Sequence, residues 1–182
     1  MEKYFLIFFM SINSFCFSQD SNIKIGDFYL GGIVGYLLQE GDVGFEKNVK
    51  HGIIVSEKDL ALSVKWYNGI SSLNIIGARG QKIGTGRTNT ELIIRNNGEK
   101  RKNYAAGIAS LYKGGGFDDW FLPSIEELNV MYQNKKYLGM AEGWYWSSTE
   151  GDNYNIWFFD FKFGFKDLAR KNFMKVRAIR YF

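Results

Sequence analysis

The chain has one proline, Pro123, at the centre of its most informative stretch, Gly114-Gly-Gly-Phe-Asp-Asp-Trp-Phe-Leu-Pro-Ser-Ile-Glu-Glu-Leu128. Three glycines end whatever precedes them. Ser124 followed by Glu127 is the pattern of a capping box, in which the serine oxygen accepts from the backbone N–H of Glu127 and the carboxylate reaches back. A carboxylate there also favours the positive helix end. Pro123 fixes φ just before the cap, where an extended segment must turn into a helix. Asp119, Trp120, Pro123, Ser124 and Glu127 are therefore expected to be structural, and so is Trp146 in the β-prone run Trp144-Tyr-Trp-Ser-Ser-Thr149. The two segments are expected to bury against each other, with the rest of the chain built around them.

At 182 residues, 46% hydrophobic and 18% aromatic, the chain is long enough for one good core. Sixteen Phe, eleven Tyr and five Trp beside twenty-one Gly favour short strands joined by glycine turns over a helical bundle. The net charge of +4 is spread among acids and argues against nucleic acid, which needs a clustered basic face.

Residues 1–18 read as a signal peptide. Lys3 supplies the positive start, Tyr4 to Met10 the apolar run, and Cys16 and Ser18 the small side chains before a cleavage at Gln19. The run is too short to span a bilayer of ~30 Å, and Phe15 is the wrong neighbour for a lipoprotein cysteine. The expectation is an exported protein, periplasmic, surface-held or extracellular. Cleavage removes the only cysteine, leaving a chain that relies on its aromatic core.

After a lead segment (19–30), strands are expected at Gly31–Leu38, His51–Ser56 and Ala61–Tyr67, with a loop over Gln39–Gly44. The glycine-rich connection to Gly86 lacks the spacing of a phosphate loop. One short helix is expected from the caps Thr88 to Glu91 to a close near Asn97-Gly98, and a second over Tyr104–Tyr112. A third follows Pro123, with Ile125, Leu128, Met131 and Tyr132 on one face and Asn134-Lys-Lys136 at its end. Three antiparallel strands then read as Ile156–Phe163, Phe165–Leu168 and Phe173–Phe182. In the first of these, Trp157, Phe159, Phe161 and Phe163 share one face. In the last, Val176 and Ala178 oppose Lys175, Arg177 and Ile179.

Gly31-Gly-Ile-Val, His51-Gly-Ile-Ile-Val-Ser, the Gly114–Leu128 stretch, Tyr145-Trp-Ser-Ser-Thr-Glu150 and Val176-Arg-Ala-Ile-Arg180 occur in that order. Together they resemble the signatures of a bacterial domain family of unknown function, typified by the C-terminal domain of the Legionella collagen-like adhesin. The resemblance covers residues 31–182. It implies an α+β, C-type-lectin-like fold with two to three short helices packed on small antiparallel sheets, and long loops on one side. It also implies adhesion at a cell surface, including carbohydrate binding to sulfated polysaccharide in the adhesin, without established chemistry. Formylglycine-generating enzymes share the broad fold, but their chemistry needs cysteines that the mature chain lacks.

No enzyme is expected. His51 is the only histidine, begins a strand and has no evident partner for acid–base work. Glu126 could pair with Asp118 or Asp119 for glycoside cleavage, but the helix start explains it better. The expected ligand-binding set is the loop Glu150, Asp152, Asn153, Tyr154 and Asn155, with Lys166, Arg170 and Lys171 as a basic set for anionic polymer. No cofactor or metal is expected. Calcium on the oxygens of Glu150, Asp152, Asn153 and Asn155 is the alternative, with plain loop polarity as the simpler account. The expected function is a secreted or surface binding module for glycan or an extracellular protein, the alternative being a structural subunit of an exported assembly.

Overall fold

The computed structural model describes residues 22–68, 75–152, 155–170 and 172–182. The signal segment, Asn153, Tyr154 and Lys171 lie outside the described residues.

The fold is α+β, with two small sheets and short helices. One sheet runs in the order β1 (Phe28–Tyr29), β2 (Gly32–Leu37), β3 (Gly52–Val55), β9 (Ile179–Tyr181), all antiparallel. The other runs β4 (Ala61–Val64), β8 (Met174–Val176), β5 (Trp144–Glu150), β6 (Ile156–Asp160), β7 (Phe165–Ala169). Here β5 and β8 pair in parallel, contrary to the all-antiparallel expectation. The helices are α1 (Gly86–Asn97), α2 (Ala105–Leu111), α3 (Ile125–Gln133) and α4 (Lys135–Leu138).

The C-terminal run is not one strand. Met174–Val176 joins the second sheet and Ile179–Tyr181 the first, so a single stretch of chain ties the two sheets together. At the crossing, Arg177 is 2% exposed, because its guanidinium donates to Asp59 at 3.0 Å and to the Leu138 carbonyl at 2.6 Å. Arg180 is likewise drawn inward by Asp119. A polar outer face for this run, as expected from alternation, is thus replaced by buried, paired arginines.

β5 sits between two cores. Trp146 packs with Trp66, Tyr104, Leu122, Phe158 and Val176, whereas its neighbour Tyr145 packs with Phe121, Ile125, Leu128, Phe159 and Phe161. Alternate residues of β5 and β6 feed opposite cores, so the period of two is present but neither face is wet. The indole N–H groups of Trp66 and Trp146 donate to the carbonyls of Ser147 and Val64, both at 2.8 Å. These bonds satisfy the polar edge of rings that are otherwise fully withdrawn from water.

The expected junction is present. Ser148 N–H donates to the Pro123 carbonyl at 2.7 Å, and Ile125 N–H donates to Thr149 Oγ1 at 3.1 Å, joining the start of α3 to β5. The capping box forms: Glu127 N–H donates to Ser124 Oγ at 3.3 Å, and Ser124 N–H to Glu127 Oε2 at 2.7 Å. The preceding glycines have their own reason. A Cβ on Gly31 would sit 2.5 Å from the Gly114 carbonyl, so two backbones meet where no side chain fits.

Several boundaries move, among them the end of β4, which stops at Val64 instead of Tyr67. The first helix begins at Gly86 after the N-cap position Thr85, three residues ahead of the first expected cap, Thr88, and the Thr85 side chain makes no capping bond. α4 follows Asn134 instead of a stop. β6 ends at Asp160, whose Oδ1 accepts from the N–H groups of Lys162 (2.7 Å) and Phe163 (3.0 Å) and turns the chain. The expected aromatic stripe is broken there, leaving Phe161 1% exposed and Phe163 70% exposed.

Candidate functional site

β5, β6 and β7 form a three-stranded ribbon, and Glu150, Asp152, Asn155 and Arg170 of the sequence-predicted ligand set gather at one end of it. Glu150 closes β5, Asp152 and Asn155 form the connection to β6, and Arg170 follows β7, whose Ala169 pairs with Ile156 at the start of β6. The connection is tight, with Gly151 N–H on the Asn155 carbonyl (2.7 Å) and Asn155 N–H on the Asp152 carbonyl (2.8 Å).

Two residues of that set have other work. Glu150 is 2% exposed, and its carboxylate accepts from the backbone N–H groups of Ile76 (3.1 Å) and Gly77 (2.8 Å). It anchors the incoming connection and has no face toward an external ligand or a calcium ion. Lys166 lies near the start of β7, paired with Phe159 and 2.5 Å from Glu126 Oε1, with its ammonium over the Trp157 ring, so it binds α3 to the sheet. Asp152 and Arg170 are exposed. Tyr67 is buried and feels the charges of both Glu150 and Arg170. Burial first, then the Glu150 charge, push its hydroxyl up to about 12 against the pull of Arg170, so it stays protonated at neutral pH. Among the described residues, no three His, Cys, Asp or Glu side chains come together to hold a metal ion.

The other end of the ribbon carries a surface that sequence reasoning missed. Trp144 pairs with Asp160, and Asp160 with Phe165, so the three occupy adjacent strands on one face. Trp144 is 47% and Phe165 45% exposed, while Asp160 between them is buried. Asp160 Oδ2 accepts the Trp144 indole N–H at 2.8 Å, and the indole also packs against Phe158, with ring centroids 5.7 Å apart. Burial raises the Asp160 pKa, but the N–H groups of Phe163 and Lys162 and the indole outweigh it, so the carboxyl sits below its ordinary value. The tryptophan is thereby held in one orientation with half its surface in water. Phe163 projects from the adjoining turn. The sequence signal is the Asp160-x-Lys162-Phe163-Gly164 turn, where alternation alone predicts that the strand continues to Phe163.

The remaining predicted residues are structural. Trp120 is buried, donates to the Gly114 carbonyl at 3.2 Å and meets Tyr112 edge-on. Asp119 is held by a distant partner: Arg180 Nε donates to Oδ1 at 2.6 Å and Nη2 to Oδ2 at 3.2 Å. The same guanidinium lies 3.7 Å above the Phe117 ring, and Arg87 approaches Asp119 at 3.5 Å. Burial works to raise the Asp119 pKa, but Arg180 and then Arg87 prevail and lower it. His51 Nδ1 is 3.1 Å from the Phe182 carbonyl oxygen, and Nε2 is 3.9 Å from Glu46. A scan of protein-family models and a search of curated proteins each found no match to this chain.

Proposed function

We propose that this is an exported, non-catalytic binding module on a C-type-lectin-like scaffold, and that its ligand is a glycan. The export reading comes from residues 1–18, and the scaffold and family readings from the resemblance over residues 31–182. The two helices α1 and α3 beside small sheets, with the last strand returning to the first sheet, are consistent with that scaffold.

The observation that carries the glycan reading is the fixed, half-exposed Trp144 beside Phe165. Sugar rings present apolar C–H faces that stack on aromatic rings, and a ring already fixed in place costs little further entropy when a ligand binds. Trp144 and Phe165 stand two strands apart, ~9.5 Å at ordinary strand spacing, a separation suited to two sugars of one chain. The indole N–H is already used by Asp160, so the ledge offers stacking surface rather than a donor.

A glycan array of neutral and anionic oligosaccharides tests this, followed by calorimetry on the best binder. Trp144→Ala and Phe165→Ala should each weaken binding about tenfold or more, the equivalent of one lost stacking contact. Unchanged affinity in both variants would refute the ledge. A second reading, a structural subunit of an exported assembly, is favoured by β4. This edge strand has no charged residue to block pairing, and its Leu62 is 71% exposed. Ligand-free oligomers abolished by Leu62→Lys would support that reading.

A further inference from the structure

A hollow of about 380 Å³ lies away from the ribbon, between the loop after β2, the end of β9 and the turn before α1. That volume is at the small end of ligand sites, which run from about 300 to 1,000 Å³. Leu38, Val43 and Phe182 give it an apolar wall. The loop is built to hold its shape: Asp42 Oδ2 accepts from the Tyr36 hydroxyl and from Gln39 N–H, both at 2.8 Å, and Phe45 N–H closes on the Asp42 carbonyl at 3.1 Å. Val43 rests on Gly84, where an added Cβ would stand 3.1 Å from the Val43 Cβ. The Tyr181 hydroxyl is already spent, donating to Glu127 and accepting from Gly84 N–H at 2.7 Å.

The polar side of the hollow is His51 with Glu46. The Phe182 carbonyl accepts from Gly52 N–H at 3.3 Å and lies 3.1 Å from His51 Nδ1. A carbonyl oxygen only accepts, so Nδ1 carries the proton, and in the neutral ring Nε2 is then an acceptor. Nε2 stands 3.9 Å from Glu46 Oε1, too far for a hydrogen bond, and an ionised carboxylate is likewise acceptor-only. Two acceptors therefore flank one gap, and a single group with several N–H donors satisfies both. The neighbouring cation in sequence, Lys50, is directed elsewhere and donates to the Ile23 carbonyl at 2.9 Å.

We infer that this hollow seats a primary ammonium group on a short aliphatic stem, the chemistry shared by a lysine side chain and a free alkyl diamine. An ammonium brings three donors and a positive charge, enough for His51 Nε2 and the Glu46 carboxylate together, and its bond to an ionised carboxylate is stronger than one between neutral groups. The methylenes of the stem lie against the apolar wall, as lysine stems do on apolar surface elsewhere. An anionic ligand would meet the Glu46 charge and find no donor on this side. The site shares no residue with the Trp144 ledge, so the glycan reading and this one stand or fall separately.

The test is an amide-resolved NMR titration of the protein with N-acetyl-lysine methylamide and with cadaverine, against the side-chain-acetylated lysine derivative and hexanoate, which lack the ammonium. At about pH 8.5 a primary amine keeps its charge while an ordinary imidazole is neutral. Both amines should shift the amides of Gly44, Gly84 and Phe182, and ring-nitrogen spectra should show His51 in the Nδ1–H form. Tighter binding of the lysine derivative assigns the site to a protein partner, and tighter binding of cadaverine to a free diamine. Glu46→Gln, at an exposed position, should weaken both amines at least about tenfold, with amides outside the loop unmoved. An Nε2–H ring, equal binding of the acetylated derivative or hexanoate, or parental affinity in Glu46→Gln would overturn the inference. Zinc ions shifting the same amides where neither amine does would overturn it in favour of a metal. Trp144→Ala should bind the amines as the parent does, which keeps this result apart from that of the ledge.

Discussion

Glu127 does more than cap a helix, and replacing it with glutamine measures the difference. Its Oε2 accepts from Ser124 N–H at 2.7 Å, the capping bond. Its Oε1 accepts from Gly84 N–H at 2.9 Å, more distantly from Gly86 N–H at 3.5 Å, and from the Tyr181 hydroxyl. Burial, followed by the Glu127 charge, pushes the Tyr181 hydroxyl far up, so at neutral pH it remains a donor. One carboxylate therefore joins the start of α3, the loop before α1 and the last strand. In Glu127→Gln the amide oxygen can serve the Gly84 side, but its NH₂ then faces Ser124 N–H, leaving one buried donor without an acceptor. An orphaned buried donor costs about 1–3 kcal/mol, and loss of charge assistance on the other bonds brings the expected destabilisation to about 2–4 kcal/mol. Ser124→Ala removes the N-cap oxygen together with its donation to the Lys82 carbonyl at 3.0 Å and should cost about 1–2 kcal/mol. Glu126→Gln breaks the half-exposed pair with Lys166 and should cost under about 1 kcal/mol. Urea unfolding checks the order, read as a shift in midpoint at constant slope. A Glu127→Gln cost below that of Ser124→Ala would refute the three-way anchor.

Three further outcomes follow from the same geometry. Trp146→Ala should destabilise by about 3–5 kcal/mol, because a ring 1% exposed leaves a cavity and strands the Val64 carbonyl. Trp144→Ala should cost much less in the same melts, which separates the core tryptophan from the ledge tryptophan. Gly107→Ala should destabilise by about 1–3 kcal/mol through collision with the Arg101 carbonyl, measured as a fall in thermal midpoint. For pH, Asp119 and Asp160 both have lowered folded-state pKa values. Their stabilisation is fully present above the unfolded aspartate value of about 4 and is lost as pH falls through the lower folded values. The double variant D119N/D160N should show a flatter loss of stability between about pH 4 and pH 2 than the parent chain.

The parts of the fold that could be read in advance were those set by local chemistry. Ser124 and Glu127 announced a capping box because its bonds span three residues, and Pro123 marked where the extended segment stops. The strand at Trp144–Thr149 followed from its aromatic and β-branched content. What could not be read depended on partners far along the chain. Alternation sets Arg177 opposite Val176 and Ala178 and says nothing of what buries it or Arg180; their burial requires Asp59 and Asp119, 118 and 61 residues away. Glu150 looked like a loop carboxylate for the same reason, since the N–H groups that hold it belong to Ile76 and Gly77. The ledge was hidden by a different effect. Asp160 ends β6 through two local backbone bonds, and a strand pattern extended past it places Phe163 on one face with Phe159 and Phe161.

The same contrast decides which surface aromatics are informative. Leu62 and Phe163 are the most exposed of the large apolar residues named here, at 71% and 70%, but exposure alone is ordinary for single side chains. Trp144 differs because its orientation is determined by three other parts of the ribbon: the Asp160 carboxylate takes its N–H, the Phe158 ring supports its face, and the Lys162 and Phe163 backbone holds Asp160 in place. If Trp144 orientation is what Asp160 is for, Asp160→Asn should lower the affinity of the glycan identified on the array while leaving Trp144 equally accessible to a fluorescence quencher. An Asp160→Asn variant that binds that glycan as the parent does would show that holding the ring is a by-product of ending β6.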